Sequence, residues 1–220
     1  MQSQRGPIDL LTHKTLAQGT QELRQRDPVL GEWMDSIGPV ALLRHQHRFG
    51  ALCRAICSQQ LSKKAAETIY GRLVTHFAPK GVPDPARLLQ LPIETLHNCG
   101  LAGAKARSLH ALAEEFSHGE LGRLKFSQLA DQQIIDAVVK VPGLGVWSAQ
   151  MFLIFSVGRA DVFSIGDLAL RKGVQRVLGR EMTHAEIEQT AARWSPCWSV
   201  ASLYLWKISH WQPPVSSEGS

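Results

Sequence analysis

The sequence predicts an all-α fold, and three observations lead to this prediction. Apolar residues recur at intervals of three and four along most of the 220-residue chain, as they do on one face of a helix. Capping residues stand where these apolar stripes begin, and segments with the two-residue alternation of a strand are scarce. The chain is 44% hydrophobic and 20% charged, which is the composition of a folded globular protein.

The first half of the chain predicts four helices, each beginning after a capping or turn residue. They are one from Phe49 to Cys57, one from Ser62 to Phe77, a short one opened by Asp84-Pro85, and one from Gly103 to Phe116. The second half predicts five more in the same style. They are one ending at Val139, one over 146–157, one over 168–178, one after the Thr183/Glu186 capping box, and a last one opened by Ser195-Pro196 that passes Leu203 and Trp206. The first dozen residues and the tail 213–220 lack periodicity, and we expect them to be disordered.

Several classes of protein are disfavoured. The start of the chain lacks the pattern of a signal peptide, and no apolar run is long enough to span a bilayer, so we expect no membrane partner and a cytoplasmic protein in a bacterium or a nuclear one in a eukaryote. The four cysteines show no CxxC spacing, which predicts free thiols and no metal site. A net charge of +5 and a pI of about 9.2 are compatible with a polyanionic partner.

One segment departs from generic helix packing. Val141-Pro142-Gly143-Leu144-Gly145 follows a predicted helix and precedes another, so that proline ends the first and two glycines permit a tight hairpin. Backbone N–H groups of Gly143, Leu144 and Gly145 can then point outward at the start of the next helix and bind an anion. A turn that only packs the two helices is the alternative.

A single carboxylate stands out in the second half. Asp167 comes directly before the predicted helix 168–178, where an aspartate is commonly an N-cap. That helix carries Arg171, Lys172 and Arg176 and is followed by Arg180, so the carboxylate borders a basic face, for which a solvated surface is the ordinary explanation.

These residues carry a family resemblance. The stretches 141–149 and 161–173 resemble the signature of the helix-hairpin-helix DNA glycosylase superfamily, in particular its DNA-3-methyladenine glycosylase II branch. The segment 55–66 is similar to the family's Gln-rich helix-turn-helix, and 194–206 resembles its C-terminal helix. The resemblance implies one glycosylase domain made of two helical subdomains, 46–160 and 14–45 plus 161–212, with an active-site cleft between them.

The resemblance also implies an activity. Asp167 takes the position of the catalytic carboxylate, and Trp147 replaces the lysine of members that also cut the DNA backbone. The implied reaction is therefore hydrolysis of the N-glycosidic bond of alkylated bases in double-stranded DNA during base excision repair. We expect a monomer that needs no cofactor, with Na⁺ or K⁺ allowed at the hairpin when DNA is bound.

Further site residues follow from the same resemblance. The base pocket is lined by Trp147, Trp198, Tyr204 and Trp206, although the last three are equally good core residues. The flipped nucleotide leaves a gap that Gln60, or else Leu61, fills; alternatively, Leu61 closes the core and Gln60 is merely solvated. Arg171 and Lys172 contact the DNA backbone. Lys105 follows a Gly-Ala turn, and we interpret it as solvated or phosphate-facing.

Two departures from the family pattern bear on specificity. Relatives often have paired acids where this chain has Gly166-Asp167, which predicts a looser loop, and an aromatic residue followed by Arg where it has Cys197-Trp198. A wider pocket that admits 1-methyladenine or 3-methylcytosine is a hypothesis from the second departure. The runner-up function is a helix-hairpin-helix module that binds DNA without catalysis.

Overall fold

The computed structural model describes residues 12–212, and it confirms the all-α prediction because these residues form helices and no strand. The expected disordered ends lie outside the described residues, except at Thr12. This residue caps the first helix, since its hydroxyl accepts the Thr15 amide and its own amide donates to the Thr15 hydroxyl. The chain divides into two compact units, Leu43–Arg159 (unit 1) and residues 12–42 with 160–212 (unit 2).

Unit 1 is built from seven α-helices, and the segment between the fifth and the sixth contains two short 3-10 helices, Leu121–Arg123 and Phe126–Gln128. The α-helices are α3 Arg48–Ser58, α4 Lys63–Thr75, α5 Pro85–Leu89, α6 Ile93–Asn98, α7 Gly103–Ser117, α8 Asp131–Val139 and α9 Val146–Phe152. The predicted caps form, because the Ser62 hydroxyl accepts the Ala65 amide and the Asp84 carboxylate accepts the Arg87 amide. Helix α3 packs against α4, α7 and α9 and supplies fully buried side chains such as Leu52 and Ile56 to the core.

The helix expected over 146–157 changes its winding in the middle. After α9, residues Leu153–Val157 form a π-helical turn that ends at Gly158. The guanidinium of Arg44 donates to the carbonyls of Ser156 and Val157 at 3.0 and 2.8 Å, so it satisfies backbone groups left open at this end. Most of this segment is buried, although Val146 at its start is 54% exposed.

Unit 2 contains the remaining five helices. They are α1 His13–Arg26, α2 Pro28–Ile37, α10 Leu168–Leu178, α11 His184–Ala192 and α12 Trp198–His210. Helices α10 and α12 pack most extensively, and Gly173 permits their close approach, because a Cβ there would lie 2.4 Å from the Leu205 carbonyl oxygen. The buried Asp27 carboxylate caps α2 and accepts bonds from the Trp194 indole at 2.7 Å and the Arg193 guanidinium at 2.9 Å.

The last helix starts two residues later than predicted. Helix α12 begins at Trp198 and not at Ser195-Pro196. The Ser195 hydroxyl donates to Asp161 at 2.8 Å, so it connects two parts of unit 2 and caps no helix. The capping box at Thr183 and Glu186 forms as predicted.

Candidate functional site

The hairpin of unit 1 has the geometry that its glycines predict. Gly143 has φ +86°, and a Cβ there would lie 2.1 Å from the Ser108 hydroxyl, so conformation and space both require glycine. Gly145 has φ −107° and caps α9. A Cβ added to it would meet nothing within 4 Å, so this glycine leaves open space in front of the helix N-terminus.

The three hairpin amides do not all point outward. The Leu144 amide donates to the Val141 carbonyl at 3.0 Å, and the Leu144 side chain is buried, so this residue closes the turn. The expectation that the Leu144 N–H points out toward a ligand is therefore corrected. Within residues 12–212 the amides of Gly143 and Gly145 have no hydrogen-bond acceptor, so both are available to an anion that approaches the start of α9.

The turn between α3 and α4 exposes both candidates for the gap-filling side chain. Gln60 is exposed and has φ +55°, the left-handed region that non-glycine residues rarely adopt. Leu61 is 41% exposed, so it does not close the core. The turn thus presents a polar and an apolar side chain side by side on the surface of unit 1.

Two residues beside this turn have contacts that the sequence did not predict. The side-chain amide of Gln59 donates to the carbonyl of Gly143 at 2.7 Å, across 84 positions of sequence. The ammonium of Lys105 donates to the carbonyls of Gln59 at 2.8 Å and Cys57 at 3.2 Å. The interpretation of Lys105 as solvated or phosphate-facing is wrong, because its ammonium serves the C-terminal end of α3.

The position of Lys105 in the sequence could have indicated that its ammonium has a partner within the protein. It lies in the first turn of α7, where the helix macrodipole disfavours a cation. A lysine at such a position therefore indicates a partner elsewhere in the fold. For Gln59 we find no comparable signal, because a glutamine after a helix end is ordinary.

Asp167 in unit 2 is the N-cap of α10, as predicted. Its Oδ1 accepts the Leu170 amide at 2.8 Å, and its own amide donates to the Ser164 carbonyl at 2.9 Å. The carboxylate is half-buried. Capping therefore fixes its position at the positive end of a three-turn helix while it remains accessible to solvent.

The basic face of α10 is divided in its roles. Arg171 is half-buried, and its guanidinium donates to the Ile165 carbonyl at 2.8 Å, which anchors the loop before Asp167. This contact opposes the loosening expected from Gly166. Lys172 is exposed, which leaves its ammonium accessible to a phosphate.

The aromatic candidates differ in burial. Trp147 in unit 1 and Trp206 in unit 2 are half-buried, as is Trp198, whose indole donates to the Ala191 carbonyl at 2.6 Å. Trp198 stands 6.2 Å from Phe163 between ring centroids. Tyr204 is only 2% exposed and its hydroxyl lies 3.4 Å from that of Thr20, so the structure fits the core alternative for Tyr204 and not the pocket.

A separate cavity of about 310 Å³ lies in unit 1, and its lining includes none of the predicted site residues. Basic and aromatic side chains line it, among them Arg44, His45, His47, Arg54 and Tyr70. Burial and the nearby Arg54 lower the pKa of His45, so its imidazole tends to stay neutral. This recess contains no carboxylate in its lining and hence no counterpart to Asp167.

The cysteines are packed in the interior of the protein. All four cysteines are buried free thiols, and burial raises the pKa of Cys57 to about 12. Within residues 12–212, no group of three or more histidine, cysteine or acidic residues is arranged to hold a metal ion. Over the same residues, none of the helices has both the length and the apolar character needed to cross a bilayer.

Comparison with known proteins finds a matching family model and relatives with the same kind of name. A family model described as HhH-GPD superfamily base excision DNA repair protein matches residues 53–197. The alkylbase DNA glycosidase-like protein mag2 of Schizosaccharomyces pombe is 26% identical over 178 residues, which cover 78% of this chain and 84% of that protein.

Solved structures agree with the sequence comparison. The 3-methyladenine DNA glycosylase Mag1 of S. pombe in complex with abasic DNA superposes with a TM-score of 0.77 at 25% identity, covering 86% of this chain and 95% of that one. A DNA-3-methyladenine glycosidase from Bacillus halodurans gives a TM-score of 0.75 at 30% identity, with 87% and 89% covered.

Proposed function

Since the chain belongs to the HhH-GPD superfamily of base excision DNA repair proteins, we propose that it hydrolyses the N-glycosidic bond of alkylated bases in duplex DNA. The substrates are of the 3-methyladenine type, as the names of its relatives suggest, and the product is an abasic site. The observation that carries this proposal is Asp167, a half-buried residue whose carboxylate is held by helix α10 and which stands where the family resemblance expects the catalytic carboxylate.

The chemistry asks little of the protein beyond electrostatics. An N-alkylated purine carries a formal positive charge, so its glycosidic bond is weakened and no general acid has to protonate the leaving base. As the bond breaks, positive charge develops on the deoxyribose, and the negative Asp167 carboxylate stabilises it and orients water. The Leu170 amide at 2.8 Å and the Arg171 anchor on the loop hold the carboxylate in place before substrate binds.

Residues of both units contact DNA in this proposal. The open amides of Gly143 and Gly145 bind a backbone phosphate without reading a base, with Na⁺ or K⁺ as an optional addition, and Lys172 adds a phosphate contact. Gln60, or else Leu61, fills the gap that the flipped nucleotide leaves. Trp147, Trp198 and Trp206 are the candidates to stack on the base, since a cation over an aromatic face gains about 0.5–2 kcal/mol.

The absence of an amine at position 147 limits the reaction to hydrolysis. Trp147 offers no nucleophile to the sugar, and the ammonium of Lys105 is engaged with two backbone carbonyls. The product strand is therefore an intact abasic strand, and borohydride traps no covalent adduct. Excision of 1-methyladenine and 3-methylcytosine by a wider pocket remains a separate hypothesis, tested with duplexes that carry single lesions.

The test is release of methylated bases from alkylated duplex DNA, measured by chromatography for the wild type and for Asp167→Asn. Asparagine keeps the oxygen that accepts the Leu170 amide, so the fold is retained, whereas loss of the charge lowers the rate of base release by roughly a hundredfold to a thousandfold. Asp84→Asn is the matched control, because Asp84 caps α5 in the same way at 2.9 Å.

The outcomes separate the two functions. Base release by the wild type and Asp84→Asn but not by Asp167→Asn supports the enzyme. Binding to abasic DNA by all three proteins with no base release by any of them replaces the enzyme with a module that binds DNA without catalysis. Full activity of Asp167→Asn contradicts the role of the carboxylate.

A further inference from the structure

The turn that carries Gln60 is attached to the hairpin by a side-chain contact. Gln59, the residue before Gln60, donates its side-chain amide to the carbonyl of Gly143 at 2.7 Å. Gly143 is the hairpin glycine whose conformation and surroundings exclude any side chain. The exposed turn and the hairpin, 84 residues apart in sequence, therefore share one short hydrogen bond inside unit 1.

A second contact holds the turn from the other side. The ammonium of Lys105 donates to the carbonyls of Cys57, the second-last residue of α3, and of Gln59, the C-cap of that helix. Carbonyls at a helix C-terminus have no partner within the helix and carry the negative end of the dipole, so a half-buried cation there is stabilising. Lys105 thus fixes the backbone of the residue whose side chain reaches the hairpin.

The backbone of Gln60 shows what these contacts maintain. A non-glycine residue in the left-handed region is held at a cost of about 1–2 kcal/mol, and it persists only where its surroundings enforce it. The Leu61 amide donates to the Ser58 carbonyl at 3.3 Å, which closes a tight turn around Gln59 and Gln60, and Lys105 holds the Gln59 carbonyl within that turn. The Ser62 hydroxyl, which accepts the Ala65 amide at 3.3 Å, fixes the start of α4 directly after Leu61. The result is one fixed direction for the two exposed side chains.

We infer that Gln59 and Lys105 are positioning residues, which hold the gap-filling turn in fixed register with the phosphate-binding hairpin. This inference rests on the proposed function, since it assigns insertion to Gln60–Leu61 and phosphate binding to the hairpin. When the hairpin holds a backbone phosphate, the turn stands at a set offset from that phosphate. The inserting side chain is then already aligned with the space that the flipped nucleotide leaves.

The inference separates insertion from general DNA binding. Gln59→Met keeps the length of the side chain and removes the donor, and Lys105→Met removes both bonds to α3. The preference for a duplex with an abasic-site analogue over the undamaged duplex falls about tenfold in Lys105→Met, because its donor is charged, and about threefold in Gln59→Met, because that bond is neutral and solvent-exposed. Affinity for the undamaged duplex changes less than twofold for Gln59→Met, because the hairpin amides remain.

The experiment measures both affinities by fluorescence anisotropy at one salt concentration, together with the fluorescence of 2-aminopurine opposite the abasic analogue, which reports unstacking. Lys125→Met is the control for Lys105→Met, because Lys125 is exposed and the charge change is the same. Circular dichroism and thermal unfolding establish that each variant is folded.

Failure of this inference differs from failure of the proposed function. A wild type that releases no alkylated base yet prefers abasic DNA overturns the proposed reaction and leaves the positioning test intact. If Gln59→Met is folded and keeps the wild-type preference and 2-aminopurine signal, the link to the hairpin has no role in insertion and the inference is overturned. If it loses affinity equally for both duplexes, Gln59 supports the hairpin only, which also overturns the inference. Loss of preference with retained general binding supports it.

Discussion

The two hairpin glycines give a matched pair of alanine substitutions with opposite consequences. In Gly143→Ala the new methyl group lies in the left-handed region, at a cost of about 1–2 kcal/mol, and overlaps the Ser108 hydroxyl at 2.1 Å, where overpacking costs about 1–3 kcal/mol more. We therefore expect the free energy of unfolding to fall by about 2–5 kcal/mol.

Gly145→Ala is the contrasting change. At φ −107° alanine is unstrained, and its methyl group meets nothing within 4 Å, so the free energy of unfolding changes by about 0.5 kcal/mol or less. The methyl group does occupy the space in which a phosphate would approach the helix N-terminus. Affinity for duplex DNA should fall about tenfold, equivalent to about 1.4 kcal/mol.

The assays are urea unfolding followed by circular dichroism and fluorescence anisotropy with a labelled duplex at fixed salt, because salt alone shifts such affinities strongly. Ser108→Ala tests the clash directly: it removes the overlapping oxygen, so the double variant should recover part of the loss, with a coupling of about 1–3 kcal/mol. A Gly143→Ala protein as stable as wild type would refute the conformational argument. Unchanged DNA affinity of Gly145→Ala would refute phosphate binding by the hairpin amides.

Two predictions concern pH. Burial raises the pKa of Cys57 and of Tyr70 to about 12, so the unfolded state loses these protons at lower pH than the folded state. The stability that is present below pH 9 should therefore decline as pH rises toward 12. Native thiols should also react with iodoacetamide at pH 8 far more slowly than unfolded ones, and fast labelling of the native protein would contradict this. Bonds from the Thr183 backbone amide and from Arg180 lower the pKa of Glu186 to about 2, so its contribution is present above its ordinary value of 4.5 and is lost as pH falls toward 2. The stability difference between wild type and Glu186→Gln, measured by urea unfolding, should shrink over that interval, and a constant difference would exclude the charge as its cause.

The helix caps show which part of the fold could be predicted from sequence. At Ser62, Asp84, Asp167 and Thr183 the side chain bonds to an amide three residues later, so donor and acceptor lie within one short segment. Such a contact depends on few other residues, and all four were predicted. Ser195 is a serine like Ser62, but its hydroxyl donates to the distant Asp161 carboxylate and not to the start of a helix. No pattern in the neighbouring sequence indicates this partner.

The candidate site divides in the same way. The positions of Gly143 and Asp167 depend on turn and cap geometry within a few residues, and the sequence predicts both. The roles of Gln59 and Lys105 depend on which residues are brought beside them by the packing of α3, α7 and α9, over separations of 84 and 46 residues. Tyr204 could equally have been a pocket or core residue, because periodicity gives the buried face of α12 but not what faces it.

Asp167 and Lys105 show that residue type alone does not assign a catalytic role in this fold. Lys105 is the type of residue that could attack a sugar, yet both of its observed bonds go to backbone carbonyls, so its charge serves the turn. Asp167 is the N-cap of α10 through its bond to the Leu170 amide, and that bond also fixes the position of the carboxylate for the catalytic role proposed for it. Capping and catalysis are therefore compatible at Asp167. Asp167→Asn preserves the cap and removes the charge, so it separates capping from the proposed catalytic role. No equivalent substitution exists at Lys105, because a change that removes its amine also removes the two bonds to the end of α3.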